Sequence, residues 1–375
     1  MKTITTTQDL DAFCSRARNF DYVTVDTEFL RERTYFSKLC LIQLAIPGDG
    51  PEDAVLVDPL ENGLELDPLY DLFRDTSVVK VLHAARQDLE IFFVDAGVIP
   101  DPMFDTQVAA MVCGFGEQVG YETLVRKRFT DWSRRPLTEA QKTYALADVT
   151  HLRDIYEFLS AKLKETGREQ WVAEEVRTLT APETYIVKPE EAWKRVKTRN
   201  ASGRFLAIVR ELAKFRESYA QGRDIPRNRV FKDDALVELA STKPATHNDL
   251  GRSRLLLREA RKGDIAEGIL KAVQDGLDCP TEDMPKVDKS QSKTQGNPAL
   301  ADLLRVLLKA KSESFGVAPK LIASAADLDL IASGERDLPA LAGWRRDVFG
   351  GDALRLCDGK IALTAKGNDI RTIDL

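Results

Sequence analysis

Asp26, Glu28, Asp88, Tyr144 and Asp148 are the side chains whose types and spacing could do chemistry together. Asp26 and Glu28 close the run Tyr22-Val23-Thr24-Val25, four strong strand formers. Strand side chains alternate faces, so these two acids stand side by side on one face. Alone, the pair reads as a polar strand end facing solvent. Like charges that close repel, and a hard divalent cation is one thing that makes the arrangement favourable. Asp88 lies a turn inside a helical pattern whose apolar side is Leu89, Phe92, Phe93 and Ala96. An acid at the edge of such a stripe often needs a partner, although the helix dipole also favours a solvated first-turn acid. Tyr144 and Asp148 are four apart and share one face of a long helix. Four carboxylates brought together can hold two divalent ions about 3.5–4 Å apart, one activating water and the other stabilising a leaving oxygen. The bond that suits this chemistry is the phosphodiester. A tyrosine hydroxyl beside the last aspartate can aim the attacking water in line.

Composition narrows the alternatives. At 375 residues, with roughly 100–200 per domain, two or three domains are expected. No run of about 18 apolar residues is present, so no membrane span is expected. Met1-Lys2-Thr3-Ile4-Thr5 lacks the apolar core of a signal peptide. The five cysteines are scattered and form no C-x-x-C, which fits a reducing cytoplasm and argues against a cysteine zinc site. With only three histidines, any metal would be held by carboxylates, which favours Mg²⁺ or Mn²⁺. The net charge of −6 does not itself suggest nucleic acid. Its distribution does: residues 1–170 carry 19 Lys and Arg against 29 Asp and Glu, a formal −10, whereas 204–275 carry 15 against 11, a formal +4.

The elements that must position the acids follow from periodicity and turn chemistry. A helix is expected over 7–18, strands at 22–25, 39–46 and 54–57, a short helix over 69–73 and a fourth strand at 78–82. Tight connections make the first three strands an antiparallel meander. Gln43, polar in an otherwise apolar strand, either reaches towards the acids or bonds backbone. Helices follow over 85–96, ended by Gly97, and over 107–113, with Asp105 as N-cap. Thr138 and Gln141 form a capping box opening a helix that runs to about 164. The order is that of an α/β domain with a mixed sheet.

These motifs resemble the ribonuclease D family, DEDD 3′–5′ exonucleases of the tyrosine subclass. The resemblance rests on Val25-Asp26-Thr27-Glu28-Phe29, on His83-Ala84-Ala85-Arg86-Gln87-Asp88-Leu89 and on Tyr144-Ala145-Leu146-Ala147-Asp148-Val149. It extends to Arg31-Glu32-Arg33-Thr34-Tyr35-Phe36 and to Trp132-Ser133-Arg134-Arg135-Pro136-Leu137. It implies a ribonuclease-H-like domain with a mixed five-stranded sheet flanked by helices. It also implies that Asp26, Glu28, Asp88 and Asp148 bind two metal ions and that Tyr144 orients the nucleophilic water. The implied activity is hydrolysis of RNA from its 3′ end, releasing nucleoside 5′-monophosphates, with precursor tRNA as substrate.

Residues 205–280 are helical in pattern and resemble the HRDC domain through Leu212-Ala213-Lys214-Phe215-Arg216-Glu217 and Ile225-Pro226-Arg227-Asn228-Arg229-Val230-Phe231. Residues 298–375, after a polar linker at 281–297, resemble a second, more divergent HRDC-like all-α domain. The expected domains are thus 1–170, 204–280 and 298–375, with 171–203 as a connection. Arg223, Arg227, Arg229 and Lys232 are candidate phosphate binders in the HRDC reading, and Arg135 and Lys38 in the exonuclease domain. Tyr35, Phe36, Phe115 and Trp132 are candidate base-stacking surfaces, with core packing as the competing role. A cytoplasmic monomer is expected. Two other classes stay open: a DNA exonuclease of the same superfamily, and a nucleic-acid-binding scaffold without turnover.

Overall fold

The computed structural model describes residues 2–116, 131–198, 202–286, 297–367 and 369–375. It divides into two units. One comprises Met1–Glu28, Leu39–Thr184 and Ser292–Leu375, and the other Phe29–Lys38 and Tyr185–Gln291.

The first unit is built on strands β1 (Lys2–Ile4), β2 (Tyr22–Leu30), β3 (Lys38–Ala45), β4 (Ala54–Val57), β5 (Val79–Leu82) and β6 (Met103–Asp105). They form one mixed sheet in the order β1-β4-β3-β2-β5-β6. β3 and β4 pair antiparallel across the Pro47-Gly48-Asp49-Gly50-Pro51 turn, while β1–β4, β2–β5 and β5–β6 pair parallel. Tyr22, Val23, Thr24 and Val25 are all buried in succession, so both faces of β2 are covered there. The helices are α1 (Thr7–Ala17), α2 (Asp67–Arg74), α3 (Arg86–Ala96), α4 (Thr106–Val112), α5 (Glu139–Thr166) and α6 (Glu169–Leu179). Among the described residues the sheet has six strands rather than the expected five. β1 and β6 are three residues each, too short to show a period. Only their pairing, Lys2 with Val55 and Lys80 with Met103, makes them strands.

The C-terminal part of this unit packs the helices Pro298–Phe315 and Ala325–Ala332 around Leu304, Leu307, Ile331 and Phe349. The expected all-α domain is helical but ends in an antiparallel hairpin, β7 (Ile361–Lys366) with β8 (Asp369–Asp374). Ile361 and Leu363 alternate with Ala362 and Thr364, a short period-two signal at the end of a helical sequence, and Gly367 takes φ +63° at the turn. Trp171 stacks on Trp344 with ring centroids 4.8 Å apart, and an Arg168 N–H donates to the Phe315 carbonyl at 2.6 Å.

The second unit centres on α7 (Gly203–Arg223), with helices Asp233–Thr242, His247–Arg252 and Gly263–Asp278 in the region whose pattern is helical. Phe205, Ile208, Leu212, Leu236 and Ile269 form its core. The segment 171–203 is not one connection. Its first part is α6, in the first unit, while Ala192 and Val196 are buried in the core of the second. Most of the expected linker, 287–296, and residues 199–201 of the expected connection lie outside the described residues. Among the described residues, no helix is long and apolar enough to cross a membrane.

Candidate active site

β2 sits inside the sheet with β3 on one side and β5 on the other. Its alternation decides which residues meet α5. The Tyr22 hydroxyl donates to Glu157 at 2.7 Å, and the Thr24 hydroxyl contacts the Val149 carbonyl at 2.8 Å and the Ala45 carbonyl at 3.2 Å. Tyr22 and Thr24 are two apart, so one face of the strand holds α5 along its length. Continuing the alternation by two and by four places Asp26 and Glu28 on that same face. α5 carries Tyr144 and Asp148 one turn apart, immediately before Val149. The helix is started at a defined residue by the capping box, in which Thr138 Oγ1 accepts from the Gln141 N–H at 3.2 Å and Gln141 Oε1 accepts from the Thr138 N–H at 2.9 Å. The Tyr144 hydroxyl donates to the Asp148 carboxylate, and both residues are half-buried.

Asp88 reaches the group from the first turn of α3 and is buried. The Thr27 hydroxyl, between the two strand acids in sequence, donates to it. The turn feeding α3 is pinned by Asp105, whose carboxylate accepts from Ala84 N at 3.2 Å, Ala85 N at 2.9 Å, Gln107 N at 2.8 Å and Val108 N at 3.3 Å. Ala84 takes φ +55° there, a conformation that needs such support. The N-cap expected at Asp105 is present, but the residue also ties β6 to the turn that presents Asp88. No sequence spacing links Asp105 to Ala84. Asp105→Ala is expected to lower unfolding free energy by roughly 2–4 kcal/mol, because four backbone donors lose their acceptor. Chemical denaturation measures this, and a change below about 0.5 kcal/mol would contradict the role.

The carboxylates act on one another. Burial raises Asp26 well above the usual carboxylate range, and the charges of Asp88, Asp148 and Glu28 raise it further. Burial pushes Asp88 up to about 7, opposed by the Thr27 hydrogen bond and its own backbone N–H. Tyr144 is raised by burial, then by Asp148 and Glu28, so its hydroxyl stays protonated at neutral pH. The structure therefore brings Asp26, Glu28, Asp88, Tyr144 and Asp148 together.

The other candidates fare differently. Trp132 is buried, with its ring centroid 6.3 Å from that of Tyr144, so it packs behind the tyrosine instead of offering an open stacking face. Arg135 makes a bidentate pair with Asp58 at 2.5 and 2.6 Å and donates to the carbonyls of Cys40 and Trp132. Its fork is spent holding the turn before α5 against the strands, which corrects the phosphate reading. Tyr35 is half-buried, with its hydroxyl on Glu217, and Arg227 pairs with the same buried carboxylate at 3.9 Å. Arg223 pairs with Asp264 at 3.2 Å. Phe36 is half-buried; Lys38, Arg229, Lys232 and Phe115 are exposed. Gln43 is fully buried on β3, and its amide makes neither of the expected hydrogen bonds.

A family model for 3′–5′ exonucleases matches residues 1–164, and one for the HRDC domain matches 205–273. The chain is 62% identical over 383 residues to ribonuclease D of Jannaschia sp. (strain CCS1), covering 100% of this chain and 99% of that one. The chain belongs to the ribonuclease D family. Ribonuclease D of Granulibacter bethesdensis is 47% identical over 382 residues, covering 99% of this chain and 96% of the relative. The crystal structure of Escherichia coli RNase D, an exoribonuclease involved in structured RNA processing, superimposes with a TM-score of 0.83 at 30% identity, covering 96% of this chain and 98% of that one. The protein is thus a 3′–5′ exoribonuclease, a hydrolase of phosphodiester bonds, of a class that uses divalent metal ions.

The residues present fit such ions. All four acids are hard oxygen donors. Among the described residues, no three His, Cys, Asp or Glu side chains already converge as a finished metal site. The fit rests instead on mutual repulsion, since burial and neighbouring carboxylates raise Asp26, burial raises Asp88, and a cation between them would favour their charged forms. A carboxyl whose folded pKa lies above its unfolded value of 3.8 stabilises the fold most below that value. This stability is lost as pH rises through about 7 for Asp88. The chelator-treated protein is therefore expected to melt lower at about pH 8 than at about pH 5, with added Mn²⁺ raising the melting temperature most at the higher pH. Equal stabilisation by the metal at both pH values would contradict the assignment.

Proposed function

We propose that this enzyme shortens structured RNA, precursor tRNA in particular, one nucleotide at a time from the 3′ end. In this reading Asp26, Glu28, Asp88 and Asp148 hold two Mg²⁺ or Mn²⁺ ions, and the products are nucleoside 5′-monophosphates. When bound, the ions would supply an activated water and stabilise the leaving oxygen. The chain's own residues do the positioning. Tyr144 keeps its proton and acts as a hydrogen-bonding guide, holding the attacking water in line with the scissile phosphorus. Asp148 orients Tyr144 by accepting its hydrogen bond. Thr27 and Asp105 keep Asp88 facing the strand acids. The exposed Lys38 and Arg229 are the phosphate contacts this reading retains. The protein acts as a cytoplasmic monomer.

One observation carries the proposal. The face of β2 that Tyr22 and Thr24 fasten to α5 is the face that continues into Asp26 and Glu28, so Tyr144 and Asp148 arrive beside them. The test is an Mg²⁺-dependent assay on 3′-extended tRNA labelled at its 5′ end, run beside matched RNA and DNA oligonucleotides. Stepwise shortening of the tRNA, with RNA degraded faster than DNA, is expected. Faster degradation of the DNA would favour the repair-type exonuclease, and an intact 3′ end would favour a binding scaffold.

A further inference from the structure

His83 is the first residue beyond β5 and stands in a row of three at the ends of neighbouring strands. The parallel β2–β5 register pairs Thr24 with Val81, and the parallel β5–β6 register pairs Leu82 with Asp105. Continuing the first by two residues sets His83 beside Asp26. Continuing the second by one sets it beside Thr106, in strands about 4.8 Å apart. The face is fixed as well. Tyr22, Val79, Val81 and Phe104 share an apolar cluster with Leu152 and Tyr156 of α5. Two residues on from Thr24 and from Val81 are Asp26 and His83, so both belong to the face of the sheet that meets α5.

The His83 ring is held in one orientation. Thr106 Oγ1 lies 3.1 Å from the Leu82 carbonyl oxygen and 2.9 Å from His83 Nδ1. A carbonyl only accepts, so the single hydroxyl hydrogen of Thr106 goes to Leu82, and the threonine oxygen accepts from Nδ1–H. This contact sets the tautomer: Nδ1 carries the proton and Nε2 keeps its lone pair. Loss of solvent around the ring lowers its pKa from the ordinary 6.5, with the charge of Asp105 opposing, so the imidazole is neutral near pH 7. The backbone is held too, because Asp105 accepts from the N–H groups of Ala84 and Ala85, directly after His83. Yet His83 is exposed, and Nε2 has no hydrogen-bond partner among the described residues. An oriented, neutral acceptor thus stands next to the strand acids with its outer nitrogen unused.

We propose that His83 Nε2 accepts a hydrogen bond from a ribose hydroxyl of the substrate's 3′-terminal nucleotide. The inference rests on the reading of Asp26 as a metal-holding group, which brings the scissile phosphate beside it. The oxygens of a phosphodiester are ionised at neutral pH and offer no hydrogen to an acceptor. The ribose hydroxyls are the substrate donors nearest the phosphorus, and the base edges lie farther off. His83 therefore reads the sugar while the acids engage the phosphate. A contact to the 2′-hydroxyl is one that DNA cannot make, and a contact to the 3′-hydroxyl marks the free end of a chain. Thr106 acts through His83, by fixing the tautomer that leaves Nε2 as the acceptor.

The test measures kcat/KM of the full-length wild type, His83→Asn and His83→Gln on one oligoribonucleotide with three ends: unmodified, 2′-deoxy and 3′-deoxy at the terminal nucleotide. Asparagine keeps an amide N–H for Thr106 but is too short to replace Nε2, whereas glutamine carries an amide oxygen to about that position. In the wild type, one of the two deoxy ends is expected to lower kcat/KM about tenfold. In His83→Asn the unmodified end is expected to lose about tenfold, and the penalty for that deoxy end to shrink to within about twofold. His83→Gln is expected to recover most of the preference. Which deoxy end loses its penalty tells the 2′-hydroxyl from the 3′-hydroxyl. The preference is a ratio taken within each variant, so a smaller folded fraction cancels from it. Equal rates on all three ends in the wild type would overturn the proposal. So would a loss in His83→Asn by the same factor on every end, which is what a purely structural role or a contact to metal-bound water gives. Asp26→Asn is run in parallel. If it is inactive while the His83 variants keep the wild-type preference, the inference fails and the site stands; if it is fully active, the reading of the site fails and the inference with it.

Discussion

Asp26→Asn is expected to lower kcat by about 10³-fold or more while leaving the fold intact. The substitution keeps the shape of the side chain and removes one negative charge from a group of four. Asp26 is the residue on which the other three charges converge, so it is the one whose neutralisation most weakens the attraction for cations. The same substitution relieves repulsion in the metal-free state. The variant is therefore expected to melt at or above the wild-type temperature without metal, and to gain less from added Mn²⁺. Loss of activity with a retained or raised melting temperature separates a functional charge from a structural one. Full turnover with metal present would remove Asp26 from the site.

Tyr144→Phe is expected to lower kcat by about 10–10²-fold with KM nearly unchanged. The ring is held by its half-buried place on α5 beside Trp132, so the phenylalanine should occupy the same position. What is lost is the hydroxyl and its hydrogen bond to Asp148. Because burial and neighbouring acids push its ionisation upward, Tyr144 serves as a proton-bearing guide and not as a base. The pH profile of the wild type should accordingly show no limb belonging to tyrosine ionisation near neutrality. An unchanged turnover rate in Tyr144→Phe would count against the water-orienting role.

Much of the site is legible in the sequence because the chemistry obeys the two backbone periods. Asp26 and Glu28 share a face by strand alternation, and Tyr144 and Asp148 share one by helical spacing. That the two faces meet is not legible there. It depends on Thr24 reaching the Val149 carbonyl and Tyr22 reaching Glu157, contacts between residues more than a hundred positions apart. Residue type misleads where one side chain can serve two purposes. Arg135 has the fork that suits a phosphate, but Asp58 occupies it; Trp132 has a base-stacking ring, but it is buried beside Tyr144. Asp105 is legible as a cap because capping is local. Its hold on Ala84 and Ala85 is not, because that depends on β5 and β6 lying side by side. The fold follows the same division. Long apolar runs such as β3 declare themselves, whereas β1 and β6 exist only through their partners.

The most direct test of the four-carboxylate site is to count bound Mn²⁺ by electron paramagnetic resonance, titrating wild type and Asp26→Asn with a nucleoside 5′-monophosphate present. The wild type is expected to bind two ions per chain, and Asp26→Asn to lose at least one of them or to bind both far more weakly. Equal stoichiometry and equal affinity in the two proteins would contradict the claim that these acids form the metal-holding centre.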